Sequence, residues 1–271
     1  EPYDERLEWD RDGQYYHYLT RWMHALSRVS RETGDPAYNT WAIELAKAAH
    51  NRFLHTLKDG SRWMVWKMSI DLSYPQVPSM GQHDPLDGLI TYHQLQATAT
   101  SLSTTGLDLV SEMADMVTLC KGRSWTTDDP LGIGGLLCDA YKTARLIQES
   151  AFSDTALVQD LLESSLAGVE AYSTGRALKL PAEYRLAFRE LGLAIGLHAV
   201  EKMERLARES DALAESEPLM DAFQRHLHLG ESIQHFWLDP QHHEVQSWSG
   251  HQDINSVMLA TRLAPDGYLA L

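Results

Sequence analysis

The sequence has few cysteines, no long apolar run and no leader pattern. Cys120 and Cys138 are the two cysteines among 271 residues, and both lie in helical patterns without a metal-binding spacing. We interpret them as reduced core residues of a cytoplasmic protein, with a disulfide as the alternative. Because no run of 18 apolar residues and no basic-then-apolar leader occurs, we expect neither a membrane span nor a signal peptide.

Basic residues are also scarce. Lys and Arg together number 23 against 38 for Asp and Glu, which gives a formal charge of −15. A surface this acidic repels phosphate backbones and anionic lipids, so we expect neither nucleic acid nor membrane as the partner. The hydrophobic content of 44% is enough to form a large core, as one domain or as two small ones.

Several functional motifs are missing as well. The 13 histidines include no H-E-x-x-H and no Cys/His spacing, so we expect no metal. Neither G-x-G-x-x-G nor a P-loop occurs, so nucleotide binding has no support. Serine hydrolysis has none either, because no G-x-S-x-G elbow is present. We therefore expect no cofactor.

Helical periodicity is present along most of the chain. In residues 14–34 the apolar side chains follow one helical stripe, and Gly34-Asp35-Pro36 separates this helix from a second one over 37–55. One extended excursion or strand pair is predicted near 60–73. Further helices are predicted at 88–104, 107–121, 131–149, 154–173, 184–208, 217–236 and 251–263, which gives nine.

The helices alternate in composition. Those that begin near 88, 131, 184 and 251 are rich in Gly, Ala, Ser and Thr, whereas the helices between them are more amphipathic. Small residues allow inner helices to crowd together, and amphipathic helices suit an outer layer. The pattern predicts an all-α fold, an α/α toroid of helical hairpins that forms a single domain over residues 1–271.

Four segments carry a resemblance to a known superfamily. They are "YYHYLTRWMHALSRVSRETGDPAYNTWAIELAKAAH", "KMSIDLS", "MGQHDPLDGLITY" and "GHQDINSVMLATRLA". The chain resembles the six-hairpin glycosidase-like (α/α)6 barrels, which include glycoside hydrolases, unsaturated-uronide hydrolases and sugar epimerases or isomerases. Within that superfamily it is similar to a bacterial group with no assigned reaction.

The resemblance implies twelve helices, and nine are predicted. The chain begins at Glu1 and ends with the mostly apolar "GYLAL". We therefore expect an incomplete barrel from a longer polypeptide. The apolar flanks of helices 14–34 and 251–263 would then be partly uncovered and would favour self-association.

The segments that precede the inner helices hold the candidate site residues. In such barrels these segments line one mouth of the cavity, where carboxylates can hold sugar hydroxyls and aromatic rings can stack on sugar faces. The candidate catalytic residues are Asp84, Asp87, His83, His251, Asp253 and Asp12. The candidate substrate-binding residues are Trp9, Asp10, His17, Trp63, Trp66, Gln82, Asp128, Arg185 and Trp248.

Structural roles compete with these assignments. Asp84 before Pro85, and Asp128-Asp129 before Pro130, also suit helix capping. Asp10 and Asp12 could belong to a solvated turn, and Arg185 could form an ion pair within its helix.

Three functions follow from these candidates. The first is hydrolysis of a glycoside by a carboxylate pair drawn from Asp84, Asp87, Asp12 and Asp253. The second is aldose–ketose isomerisation or epimerisation with proton relay by His83 and His251. The third is a sugar-binding or scaffold barrel without chemistry. In each case the expected partner is a small-molecule sugar or glycoside.

Overall fold

The chain is mostly helical. The computed structural model describes residues 7–8, 10–77, 79, 81–104, 106–209 and 211–271. In this part of the chain 69% of residues are helical and 5% are in strands. The all-α prediction is confirmed.

Two compact units make up the chain. Unit 1 spans residues 1–123 together with Leu271, and unit 2 spans residues 124–270. The predicted single barrel stays a prediction. No helix in the described residues is both long enough and apolar enough to cross a membrane.

Unit 1 contains two helical hairpins and two small sheets. Its elements are β1 (Gln14–Tyr15), α1 (Tyr16–Thr33), α2 (Pro36–Phe53), β2 (Leu54–Thr56), β3 (Arg62–Met64), β4 (Lys67–Met68), β5 (Pro75–Val77), α3 (Asp84–Ser101) and α4 (Val110–Cys120).

The turn between α1 and α2 follows from three consecutive residues. Gly34 adopts a left-handed conformation with φ of 72° and donates its N–H to the Ser30 carbonyl. The Asp35 side chain then accepts from the N–H of Ala37, and Pro36 occupies the first turn of α2. The predicted short hairpin is confirmed.

Alternate helices of unit 1 lie side by side in parallel. His24 and Ser27 of α1 bond Gln94 and Thr98 of α3, so the two helices run in the same direction. Lys47 and His50 of α2 contact Glu112 and Asp115 of α4 in the same way.

The predicted excursion forms strands that hold the start of α1. Strand β4 pairs with both β1 and β5, and β2 pairs with β3. Gln14 and Tyr15 are therefore in a strand, although helix was predicted from residue 14. Lys67 is fully buried, and its Nζ donates to the carbonyls of Glu8 and Arg11, which fixes the segment that precedes α1.

Unit 2 contains the other eight helices. They are α5 (Pro130–Gln148), α6 (Thr155–Thr174), α7 (Ala187–Ala207), α8 (Glu217–Phe223), α9 (His228–Leu238), α10 (Gln246–Ser249), α11 (Gln252–Leu263) and α12 (Asp266–Leu269). The helix predicted over 217–236 is broken at 224–227. The twelve helices of the described residues include two of four residues and one of seven, so the count does not correspond to six full hairpins.

Glycines bring α5 and α7 into backbone contact. A Cβ on Gly134 would lie 2.0 Å from the carbonyl oxygen of Gly192, and a Cβ on Gly196 would lie 2.6 Å from Gly134. Helix α11 packs on α7, because its Asn255 side chain accepts from the N–H of Phe188 in α7. The small residues therefore crowd these helices together, as the composition predicts.

Gly134→Ala is expected to lower the free energy of unfolding by about 1–3 kcal/mol, since the added methyl would overlap a backbone oxygen that no rotamer change can move. Gly135→Ala is the matched control. It lies on the same helix, and a methyl group added there would have no neighbouring atom within 4 Å, so this variant should gain roughly 0.5–1 kcal/mol from helix propensity. Urea unfolding of both variants checks this, and a Gly134→Ala protein as stable as Gly135→Ala would contradict it.

Exposed apolar side chains line α1 and α11. Tyr18, Trp22 and Val29 are exposed on α1, and Val257 and Leu263 are exposed on α11. These are the two helices whose flanks we expect to be uncovered. Self-association through them stays a prediction.

Candidate functional site

Two buried carboxyl groups lie in the first turn of α3. Asp84 and Asp87 are each 7% exposed. The capping position falls on His83, whose side chain makes no capping hydrogen bond, so the capping interpretation of Asp84 is wrong. Oδ2 of Asp84 is buried and has no hydrogen-bond partner among the described residues.

Two side chains of α1 face these carboxyl groups. Nδ1 of His17 lies 3.8 Å from Oδ1 of Asp84. Arg21 lies 3.3 Å and 3.4 Å from the two oxygens of Asp87. His17 and Arg21 lie one helical turn apart on α1, and Asp84 and Asp87 lie one turn apart on α3. Because the two helices run in parallel, each residue of the first pair contacts one of the second. We call His17, Arg21, Asp84 and Asp87 the acid cluster.

Burial shifts the pKa values of Asp84 and His17 in opposite directions. Burial, together with the nearby charge of Asp87, raises the pKa of Asp84 from 3.8 to about 7, and Arg21 opposes this rise. Burial also lowers the pKa of His17, against the attraction of Asp87. Near neutral pH Asp84 is therefore divided between its protonated and ionised forms, and the lowered pKa of His17 favours a neutral ring, beside the Asp87–Arg21 ion pair.

Gly81 lies close to the acid cluster, and Gly88 lies close to the neighbouring Tyr16. A Cβ on Gly81 would lie 2.2 Å from Oδ2 of Asp84, and a Cβ on Gly88 would lie 2.5 Å from the Tyr16 hydroxyl. Tyr16 donates to the Tyr92 hydroxyl at 2.8 Å beneath the cluster. Solvent reaches the cluster through His17 and Arg21, whose side chains are 37% and 38% exposed.

Trp66 is linked to the acid cluster through Tyr15, whereas Trp63 belongs to the separate β2–β3 pair. Trp66 donates to the Ser79 hydroxyl, and its ring lies 5.4 Å from that of Tyr15, which in turn contacts His17. Trp63 lies on β3, which packs on α4. Its predicted contact with a sugar at the same mouth therefore gains no support.

The residues that precede α1 and α3 are largely exposed. The side chains of Asp10, Asp12 and Gln82 are exposed, and His83 is half-buried. The Asp12 carbonyl, not its carboxylate, accepts from Gln76, which favours the turn interpretation. Trp9 lies outside the described residues.

In unit 2 the Asp-Asp-Pro segment is a helix cap. Asp129 accepts from the N–H of Leu131 and forms an ion pair with Arg189 at 2.8 Å, whereas Asp128 is exposed. His251 and Asp253 are also exposed at the start of α11, where Nδ1 of His251 lies 3.3 Å from the Ser247 carbonyl oxygen. Their catalytic roles stay predictions.

Arg185 and Trp248 belong to the core of unit 2. Arg185 is 5% exposed, contacts both Glu190 oxygens at 2.6–3.1 Å and donates to the Leu178 carbonyl. Trp248 is 7% exposed and stacks on His243 at 3.7 Å. We correct the prediction that they bind substrate, because these contacts use the arginine donors and cover the indole. Arg185 forms an ion pair with Glu190, but it lies before α7 and not within the helix, as the ion-pair interpretation had expected.

Sequence reasoning missed the importance of Arg21, Tyr16 and Tyr92. The helical spacing of His17 and Arg21 is visible, but nothing in the sequence specifies their partners on α3. No group of three or more His, Cys, Asp or Glu side chains in the described residues is placed to hold a metal ion.

Comparisons with known proteins gave no match: no family model, no curated protein and no solved structure is similar enough to this chain to be reported as a relative.

Proposed function

We propose that the chain is a carbohydrate-active enzyme that hydrolyses a glycosidic bond, with Asp84 as general acid and Asp87 as its carboxylate partner. The observation that carries this proposal is the acid cluster. It holds an almost fully buried Asp84 with a raised pKa and an oxygen without a partner, three residues from an Asp87 in an ion pair.

The two carboxyl groups suit the two roles that glycoside cleavage requires. One group must give a proton to the leaving oxygen, and the other must be ionised to activate water or to attack the anomeric carbon. Part of the Asp84 population keeps its proton near neutral pH, because burial beside Asp87 raises its pKa to about 7. Arg21 contacts both oxygens of Asp87, at 3.3 Å and 3.4 Å.

The helix arrangement supports an α/α toroid as the framework. In unit 1, α1 runs parallel to α3 and α2 runs parallel to α4. In unit 2, α5, α7 and α11 also run in parallel. Parallel alternate helices place their amino ends at one end of each unit, where the acid cluster lies in unit 1.

A second candidate is isomerisation or epimerisation of a sugar, favoured by the 3.8 Å approach of His17 to Asp84. A neutral imidazole beside a protonated carboxyl group can relay a proton next to a carbonyl. This relay uses His17 in place of the predicted pair His83 and His251, which belong to different units.

The test is incubation of the protein with a panel of neutral and acidic sugars and glycosides, read by proton NMR. We expect anomeric signals of a released sugar from at least one glycoside, with a rate that falls above about pH 7 as Asp84 loses its proton. Conversion of a free aldose into a ketose or epimer would favour the second candidate. A panel that stays unchanged would contradict both.

A further inference from the structure

A polar pocket lies in unit 1, between the end of α2, the β2–β3 hairpin and the start of α4. It encloses about 200 Å³. Polar side chains dominate its lining, and Leu54 is the apolar contribution. The polar lining residues are His50, Asn51, Arg62, Ser111, Glu112 and Asp115. We call it the α2–α4 pocket, and none of its lining residues belongs to the acid cluster.

Asp115 is held between two partners. One of its oxygens lies 3.2 Å from Nε2 of His50, and the other lies 3.3 Å from Nη2 of Arg62. Arg62 in turn donates to the Thr56 hydroxyl across the hairpin. His50 is 5% exposed and packs against the Tyr92 ring. These contacts fix one wall of the pocket before any ligand arrives.

Glu112 is fixed in the same manner. Lys47 lies 2.9 Å from one of its oxygens, and the Ser111 hydroxyl donates to the other at 3.0 Å. Glu112 is 8% exposed. Both carboxylates thus have a cationic neighbour and lone pairs that further donors can use.

The charges around the pocket balance. The lining contains one cation, Arg62, and two carboxylates, and Lys47 compensates the second carboxylate from behind. A small anion in the pocket would be repelled by both carboxylates, and the formal charge of −15 disfavours anions further. A small cation would be repelled by Arg62. A neutral ligand whose hydroxyls both donate and accept can pair with carboxylates and guanidinium together.

We infer that the α2–α4 pocket is a second binding site, specific for a neutral polyhydroxylated molecule the size of one sugar ring. Each buried hydroxyl needs a hydrogen-bond partner, and the six polar lining residues supply donors and acceptors around a small volume. This inference does not rest on the proposed hydrolysis, since a protein without catalytic activity could still bind here.

The test compares three probes with one ring and different charge: glucose, glucuronate and glucosamine. Isothermal titration calorimetry gives the affinities, and the His50 ring resonances, assigned with His50→Gln, report the location. We expect glucose to bind most tightly and to shift these resonances. Tighter binding of either charged probe, or no binding of glucose, would overturn the inference.

Two substitutions in the pocket and one outside it complete the test. Arg62→Met and the conservative Asp115→Asn should each weaken glucose binding by about tenfold or more, because each removes a charged hydrogen-bonding group. Arg145→Met, in the surface pair with Glu149, is the matched control and should bind as the parent does. Glucose binding that survives both pocket substitutions would place the ligand elsewhere and overturn the inference, and circular dichroism verifies that each variant is folded.

Discussion

Asp84→Asn should lower turnover of the glycoside identified by NMR by about 10²–10⁴-fold, the usual contribution of a general acid. The amide keeps the shape of the side chain but has no proton to give to the leaving oxygen. Asp87→Asn should have a comparable effect, because the amide can neither activate water nor attack. Steady-state kinetics of both variants measure the loss.

Asp84→Asn should also change how the free energy of unfolding depends on pH. The pKa of Asp84 is raised from 3.8 to about 7 in the folded chain. Between these values the folded protein keeps a proton that the unfolded chain has released, so the parent loses stability as the pH rises from about 4 to about 7. Asp84→Asn should escape this loss and should be more stable than the parent at pH 8 by up to about 4 kcal/mol, at about 1.4 kcal/mol for each pH unit.

Asp59→Asn serves as the control for both measurements. Asp59 is a fully exposed carboxylate in the turn of the β2–β3 hairpin, where it accepts from Ser61. Its substitution should leave turnover unchanged and should not raise stability at pH 8. If Asp84→Asn keeps its turnover and follows the parent's stability from pH 4 to pH 8, the acid cluster is neither catalytic nor protonated as described.

The helices could be predicted because their determinants are local. The stripe in residues 14–34 and the Gly34-Asp35-Pro36 turn specify the first hairpin through adjacent residues, and the structure contains it. The break at 224–227 could not be predicted in this way. That stretch contains neither proline nor glycine, and its turn hydrogen bonds, such as His226 N–H to the Phe223 carbonyl, arise in the folded unit.

The sequence predicted three of the four residues of the acid cluster, Asp84, Asp87 and His17, but not Arg21 and not which residues contact each other. Asp84 and Asp87 stand out because a cap explains at most one carboxylate, whereas their partners His17 and Arg21 lie 67 and 66 residues earlier in the chain. Their pairing depends on the register between two parallel helices, which tertiary packing decides. Arg185 shows the converse case, since a buried partner five residues away uses the donors that could have bound a sugar.

Glu190→Gln should destabilise unit 2 by about 3–5 kcal/mol, because it would leave a buried guanidinium without its counter-ion. Glu190 is 3% exposed and accepts from Arg185, from the Trp237 indole at 2.7 Å and from the Tyr172 hydroxyl at 3.2 Å. Arg185 also lies 3.7 Å from the centre of the Phe236 ring. The Glu190 carboxylate therefore accepts from three side chains, and its charge is the part that an amide cannot replace.

Glu149→Gln is the matched control for this loss. Glu149 faces Arg145 one helical turn away at 3.5 Å, and both side chains are partly exposed. Surface pairs of this kind contribute about 0.2–1 kcal/mol, so the control should unfold at nearly the parent's urea concentration. Tryptophan fluorescence, to which the fully buried Trp237 contributes, measures the unfolding of each variant in urea.

A double substitution separates the cost of an unpaired charge from the contribution of the pair. Arg185→Met combined with Glu190→Gln removes both charges, so no buried ion is left without a partner, and it should recover a large part of the stability that Glu190→Gln loses. If the double variant is instead less stable than Glu190→Gln alone, the lost packing of the guanidinium on the Phe236 ring costs more free energy than the unpaired charge does. If Glu190→Gln is no more destabilising than Glu149→Gln, the buried pair does not hold unit 2 together.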